Sequence, residues 1–157
     1  MAWPGEKNKA SLNIEFPNIK GFKMGMLNIV SLPKYIDEIR IILADQFFDV
    51  LALNETRLDK NIFDQDMFIQ NYDLIRADRS RSGGGVCLYV KNSINYLNRN
   101  DLTWDNLEAI CIEIFKPSSA SFIVGTIYRP PNASVDSFSN IEQLVKLIDD
   151  ENKEFYF

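Results

Sequence analysis

The chain has 157 residues, enough for one ordinary domain with a real hydrophobic core. With 46% hydrophobic and 25% charged residues, its composition is that of a folded globular protein rather than a disordered one. A net charge of −5 argues against a broad basic surface for coating nucleic acid, and the absence of histidine disfavours zinc.

Residues 1–20 are polar, contain Pro4, Gly5 and Pro17, and are expected to form a flexible N-terminal arm. Phe22 to Val30 is predicted as a first strand ending near Asn28. Pro33 suits the first turn of a helix. Tyr35, Ile36, Ile39, Ile42, Leu43 and Phe47 recur at helical spacing, which predicts an amphipathic helix over 34–46. Asp49 to Leu53 is a short, almost wholly apolar run. Strand, helix and buried strand in close succession predict a parallel crossover.

The middle of the chain changes character. Tyr72 to Arg76 and Gly85 to Lys91 are strand-like and flank a polar, glycine-rich turn, a hairpin pattern. Glu108 to Phe115 alternates, with Ile110, Ile112 and Ile114 on one face. Pro117-Ser118-Ser119 turns the chain, and Phe122 to Tyr128 returns as an antiparallel strand. Phe138, Ile141, Leu144, Val145 and Ile148 predict a second amphipathic helix, with Asp136 or Ser137 as its N-cap. Glu154 begins one more strand. The expected class is α/β: a mixed β-sheet with flanking helices and the site residues clustered where loops leave the strands.

Cys87 and Cys111 lie in apolar runs without metal-ligand spacing and are expected to be buried and reduced. No apolar run approaches the length of a membrane span, and the N-terminus lacks a signal-peptide core. The expected location is therefore intracellular, nuclear or cytoplasmic, with no membrane partner.

Several residues suit phosphate chemistry. Glu55 follows a buried run, where a carboxylate can reach Mg²⁺. Asn28 would lie beside it if the two strands are neighbours. Arg76, Arg79 and Arg81 crowd one turn and suit either a phosphate or a wet hairpin tip. Gly83-Gly84-Gly85 lacks nucleotide-loop spacing and is better explained by turn geometry. In Tyr128-Arg129-Pro130-Pro131-Asn132, two prolines stiffen a strand exit and fix a phenol, a guanidinium and an amide.

Four stretches, in order, resemble the endonuclease/exonuclease/phosphatase superfamily. The likeness is greatest to the endonuclease domain of non-LTR retrotransposon reverse-transcriptase proteins. The stretches are 27–32 (LNIVSL), 48–59 (FDVLALNETRLD), 72–90 (YDLIRADRSRSGGGVCLYV) and 127–132 (IYRPPN). The resemblance implies a DNase I-like, four-layer α/β sandwich and Mg²⁺-dependent cleavage of DNA phosphodiesters. By position it implies catalytic roles for Asn28 and Tyr128 and a metal-binding role for Glu55. It offers Asn132 as a further match, and Arg129 and Arg79 join it as phosphate-contact candidates on the chemistry of their side chains.

The resemblance covers the N-terminal portion of such a domain, here residues 21–157. The later Asp, Asn and His residues of the family pattern have no counterpart. The sandwich is therefore expected to be partial, with a bare sheet face open to self-association, and the chain to be inactive alone. A general base is worth roughly 10²- to 10⁴-fold in rate. Two alternatives stand beside this reading. One is a non-catalytic remnant or binding module of the same fold. The other is a branch acting on lipid or nucleotide phosphoesters.

Overall fold

The computed structural model describes residues 14–157; the first part of the expected N-terminal arm lies outside them. Two four-stranded mixed sheets stack face to face, and one helix covers the outer face of each. The layers run helix, sheet, sheet, helix.

The first sheet contains β1 (Met24–Asn28), β2 (Val50–Asn54), β3 (Tyr72–Ala77) and β4 (Val86–Lys91), in the order β1-β2-β4-β3. β1 and β2 are parallel and joined through α1 (Leu32–Leu43), and β4 runs antiparallel to both of its neighbours. The predicted crossover and hairpin are both present. The helix starts two residues before the predicted range, with Pro33 in its first turn as expected, and ends three residues before it.

The second sheet has the order β5-β6-β7-β8, built from β5 (Asn95–Asn98), β6 (Glu108–Phe115), β7 (Phe122–Tyr128) and β8 (Phe155–Tyr156). β6 pairs antiparallel with both β5 and β7, and β8 returns parallel to β7 through α2 (Asp136–Asp150). Asp136 is the first helical residue rather than a cap, and Val135 precedes it without a side-chain capping bond. The exposed, polar β5 was not foreseen, because four residues without an apolar face give no periodic signal.

Strand alternation assigns every core residue to a layer. Val50, Ala52, Val86, Leu88 and Val90 face inward from the first sheet and meet Ile110, Ile112, Ile114 and Val124 of the second. The opposite face of the first sheet, with Leu51, Leu53, Cys87 and Tyr89, receives Leu32, Ile36, Ile39 and Leu43 of α1. Behind the second sheet, Ala109, Cys111 and Ile123 pack against Leu144 and Ile148 of α2. Both cysteines are buried and unpaired, and burial pushes both thiols up, Cys111 to about 12.

The first sheet is not bare: this chain supplies a second sheet of its own, β5–β8, which covers the inner faces of β2 and β4, while the inner side of β1 stays open with Met26 half-exposed. What stays open is a pair of edges, β1 and β8, on the same side of the sandwich. A cleft of about 1190 Å³ lies between them, lined in part by Phe22, Met24, Met26, Phe122 and Tyr156. Among the described residues, no helix is long and apolar enough to cross a membrane.

One ion-pair network fastens the second crossover. Arg99 is almost fully buried and binds Glu113 at 3.0 Å, Asp101 at 2.7 Å and Glu151 past the end of α2. Lys153 bridges Glu113 and Glu151 at 2.8 Å each. Removing Arg99 takes one of the two cations from Glu113, which is 6% exposed, and leaves its Oε2 atom unpaired in the core. Arg99→Met should therefore lower the unfolding free energy by about 3 kcal/mol in urea titrations.

Arg99, followed by Lys153, holds the Glu151 carboxyl down at about 2. An unfolded glutamate titrates near ~4.3. Its contribution is thus complete above that value and disappears as pH falls toward the folded one. The acid loss of stability should be shallower in Glu151→Gln than in the parent chain.

Candidate active site

The site forms where β1, β2 and β7 end together at one mouth of the sandwich. Asn28 closes β1, Glu55 follows β2 and Tyr128 closes β7. Register places Asn28 opposite Asn54, so Glu55 emerges beside it. The Glu55 Oε1 atom accepts two hydrogen bonds, from Tyr128 Oη at 2.8 Å and from Asn28 Nδ2 at 3.2 Å. Asn28 Oδ1 accepts the Val30 N–H at 3.2 Å, which fixes the direction of its amide. Three residues far apart in sequence thus converge on one carboxylate oxygen.

The electrostatics follow from these contacts. The amide of Asn28, then the phenol of Tyr128, hold the Glu55 carboxyl below its ordinary range, and Arg57 adds to the effect. Glu55 is therefore an anion at neutral pH. Desolvation, followed by the bond to Glu55, pushes the Tyr128 phenol up, so it remains a proton donor.

The loop that carries Glu55 is strained. Glu55 (φ 55°) and Arg57 (φ 54°) both adopt the left-handed region, as does Val30 (φ 61°) across from them. Such conformations cost about 1–3 kcal/mol each and persist only where the surroundings impose them. Here the surroundings are backbone hydrogen bonds. Thr56 and Arg57 donate to Gly85 O and Gly84 O at 3.1 and 3.0 Å, and Leu32 donates to Thr56 O at 2.9 Å. Thr56 Oγ1 and Arg57 Nε are buried without a hydrogen-bond partner.

The glycines acquire a role beyond turn formation. A Cβ on Gly85, whose φ is 83°, would stand 2.7 Å from Thr56 Oγ1. Its N–H donates to Glu108 Oε2 at 2.9 Å, and Glu108 pairs with Arg79 at 3.0 Å.

Beneath the site lies a polar bridge between the sheets. Asn54 continues the inward stripe of Val50 and Ala52, and Thr126 continues that of Val124. Thr126 Oγ1 donates to Asn54 Oδ1 at 2.6 Å, fully buried on the threonine side. This bond joins β2 and β7 one step behind Glu55 and Tyr128. Sequence reasoning missed the pair. The available signal was a polar residue ending each apolar inward stripe.

The remaining expected residues disperse. Arg79 lines a cavity beside Tyr128. Arg129 turns onto α2, where it donates to Ser137 Oγ and Ala133 O and stacks on Phe138 at 4.4 Å. Asn132 is exposed on the rim of that same cavity. Arg76 is riveted to Asp78, Asp64 and two backbone carbonyls, so it belongs to the scaffold. Among the described residues, no three metal-ligating side chains cluster.

Comparison with known proteins gives this geometry a context. The sequence matches no protein-family model and no curated protein. Solved structures do match. The endonuclease domain of TRAS1, a telomere-specific non-LTR retrotransposon, superposes with a TM-score of 0.58 at 11% identity over 82% of this chain. The likeness is one of fold: this chain shares the α/β sandwich of that endonuclease domain.

A 3′-5′ exonuclease from Neisseria meningitidis, NExo, superposes with a TM-score of 0.55 at 19% identity over 83% of the chain. The human Nocturnin catalytic domain gives 0.53 at 17% over 82%. The chain covers 54%, 53% and 58% of these three structures, so it spans little more than half their length. These likenesses establish a DNase I-like α/β sandwich.

Two outcomes follow from the geometry. Thr126→Val leaves the Asn54 Oδ1 atom without its hydrogen bond and should cost about 1–3 kcal/mol in urea unfolding. Glu55→Gln should move the Tyr128 phenol titration downward but leave it above an exposed tyrosine, because desolvation persists. Tyrosine ¹³Cζ resonances followed against pH, with Tyr128→Phe for assignment, check the second.

Proposed function

We propose that the chain carries the first half of a Mg²⁺-dependent phosphodiesterase site acting on DNA, of the kind borne by retrotransposon proteins beside a reverse transcriptase. The observation that carries this reading is the convergence of Asn28 and Tyr128 on Glu55. The fold supports it, because the superposed proteins include DNA-processing enzymes by name.

The donor set fits a Mg²⁺ ion in one respect. Glu55 is ionised, and while its Oε1 is committed to Asn28 and Tyr128, its Oε2 has only the distant Arg57 guanidinium at 3.8 Å. Mg²⁺ characteristically takes one or two protein carboxylates together with water and phosphate oxygens. Bound there, the ion would supply charge stabilisation to a phosphodiester.

The chain's own residues have distinct tasks in this reading. Asn28 and Tyr128 orient the Glu55 carboxylate. Tyr128, kept protonated, spends its single O–H on Glu55 and would offer it to a phosphate oxygen only by exchanging that partner. Arg79, tethered by Glu108, adds positive charge at the rim, and Asn132 offers an amide there. Arg129 contributes by holding the Tyr128–Asn132 exit against α2 rather than by direct contact. None of these groups takes a proton from water at neutral pH: Tyr128 already holds its own, and Glu55 is engaged by two donors. The 157-residue chain by itself is therefore inactive, and turnover requires polypeptide that supplies a base.

Nicking of supercoiled plasmid in Mg²⁺ tests this, using the chain alone and the longest in-frame product that contains it. The expected result is nicking only by a product that carries a proton-transfer group. Glu55→Ala in that product should lower it by at least ~10²-fold. Nicking by the chain alone, or nicking indifferent to Glu55, would contradict the reading.

A further inference from the structure

The cavity beside Tyr128 has a chemistry that the phosphate reading uses only at its rim. It measures about 560 Å³ and lies between the start of β6, the end of β7 and the first turns of α2. Its floor is apolar, formed by Leu107, which is buried, and Ile141. Its walls carry three carboxamides, from Asn106, Asn132 and Asn140. At the mouth stand Tyr128 and the Arg79 guanidinium.

Those carboxamides differ from the other asparagines near the site. The amides of Asn28 and Asn54 are spent on Glu55, Val30, Thr126 and Ile127. Asn106, Asn132 and Asn140 have no hydrogen-bond partner among the described residues. Each keeps a donor and an acceptor side by side. That pairing matches the polar edge of a nucleobase, while an apolar floor and a guanidinium plane suit its faces. The volume falls in the ordinary range for small-ligand sites, room for one nucleoside but not for a duplex.

The wall is also held rigid. Arg129, bonded to Ser137 and Ala133 and stacked on Phe138, fastens the Pro130–Ser134 loop to α2. The loop bearing Asn132 and the helix bearing Asn140 are thereby held against each other before any ligand arrives.

We propose that this cavity is a nucleobase subsite, which receives one unstacked base of the nucleoside flanking the phosphate held at Glu55 and Tyr128. The assignment of that phosphate rests on the function proposed above; the base pocket itself does not require catalysis. An occupied pocket implies a substrate that is single-stranded, frayed or locally opened at this position, because a stacked and paired base cannot present its edge there.

The test is equilibrium binding to the 157-residue chain, followed by ¹H–¹⁵N NMR with the four deoxynucleoside 5′-monophosphates and with deoxyribose 5-phosphate. At least one mononucleotide is expected to shift the side-chain amides of Asn106 and Asn140 and to bind about tenfold tighter than the base-free sugar phosphate. Asn106→Ala/Asn140→Ala should erase that tenfold preference without altering the unfolding midpoint. Glu55→Ala should leave it intact. Equal affinity for deoxyribose 5-phosphate, shifts confined to residues outside the cavity, or an unchanged preference in the double variant would each overturn the proposal. A preserved base preference alongside an absence of nicking in every product would instead reject the catalytic reading and leave the subsite standing.

Discussion

The hydrogen bond from Thr126 to Asn54 is the point on which the site geometry depends. It is the polar bridge where the two sheets meet at the mouth of the sandwich, and it lies at the end of a wholly apolar interface. Sheets packed by aliphatic side chains alone can slide, because dispersion and hydrophobic burial have little directionality. A short bond between buried groups removes that freedom, since breaking it strands two polar atoms away from water. With β2 and β7 pinned at this level, the next residues outward, Glu55 and Tyr128, have little choice but to meet.

The second constraint is local strain. Left-handed residues at Val30, Glu55 and Arg57 are unusual, most of all for β-branched valine. They are held by a lattice of backbone hydrogen bonds accepted by the carbonyls of Asn54, Thr56, Gly84 and Gly85. A loop without those glycines would relax, and the carboxylate would swing away from Asn28 and Tyr128. The scaffold is therefore most regular in its middle and most strained at one end, where the candidate chemistry sits. The Arg99 network performs the corresponding structural task at the far side of β6, where a buried glutamate is acceptable only because two cations face it.

Much of this was legible in the sequence, for identifiable reasons. Long periodic segments declare themselves, so α2 and the β6–β7 pair stand close to where the alternation of apolar residues puts them. Asn28, Glu55 and Tyr128 could be singled out as candidates because each sits at the end of an apolar run, a position that a strand-end loop gives to function. The second sheet's sufficiency was not legible. β5 is short, polar and exposed, and β8 is two residues long, so neither carries a pattern. Arg129 illustrates another limit. A guanidinium beside two prolines suits a phosphate on paper, but whether it turns outward or onto Phe138 depends on where α2 begins. The Asn54–Thr126 bridge escaped because a polar residue ending an apolar stripe does not say which residue, here 72 positions away, it will meet.

The most direct measurement of the central idea, that Glu55 is poised by Asn28 and Tyr128 to hold a divalent metal, is diffraction from crystals of the chain soaked in Mn²⁺. An anomalous peak within bonding distance of Glu55 Oε2, with the phenol of Tyr128 still on Oε1, is the predicted result. A peak elsewhere with Glu55 bare, or a Glu55 carboxylate turned away from both Asn28 and Tyr128, would contradict the account.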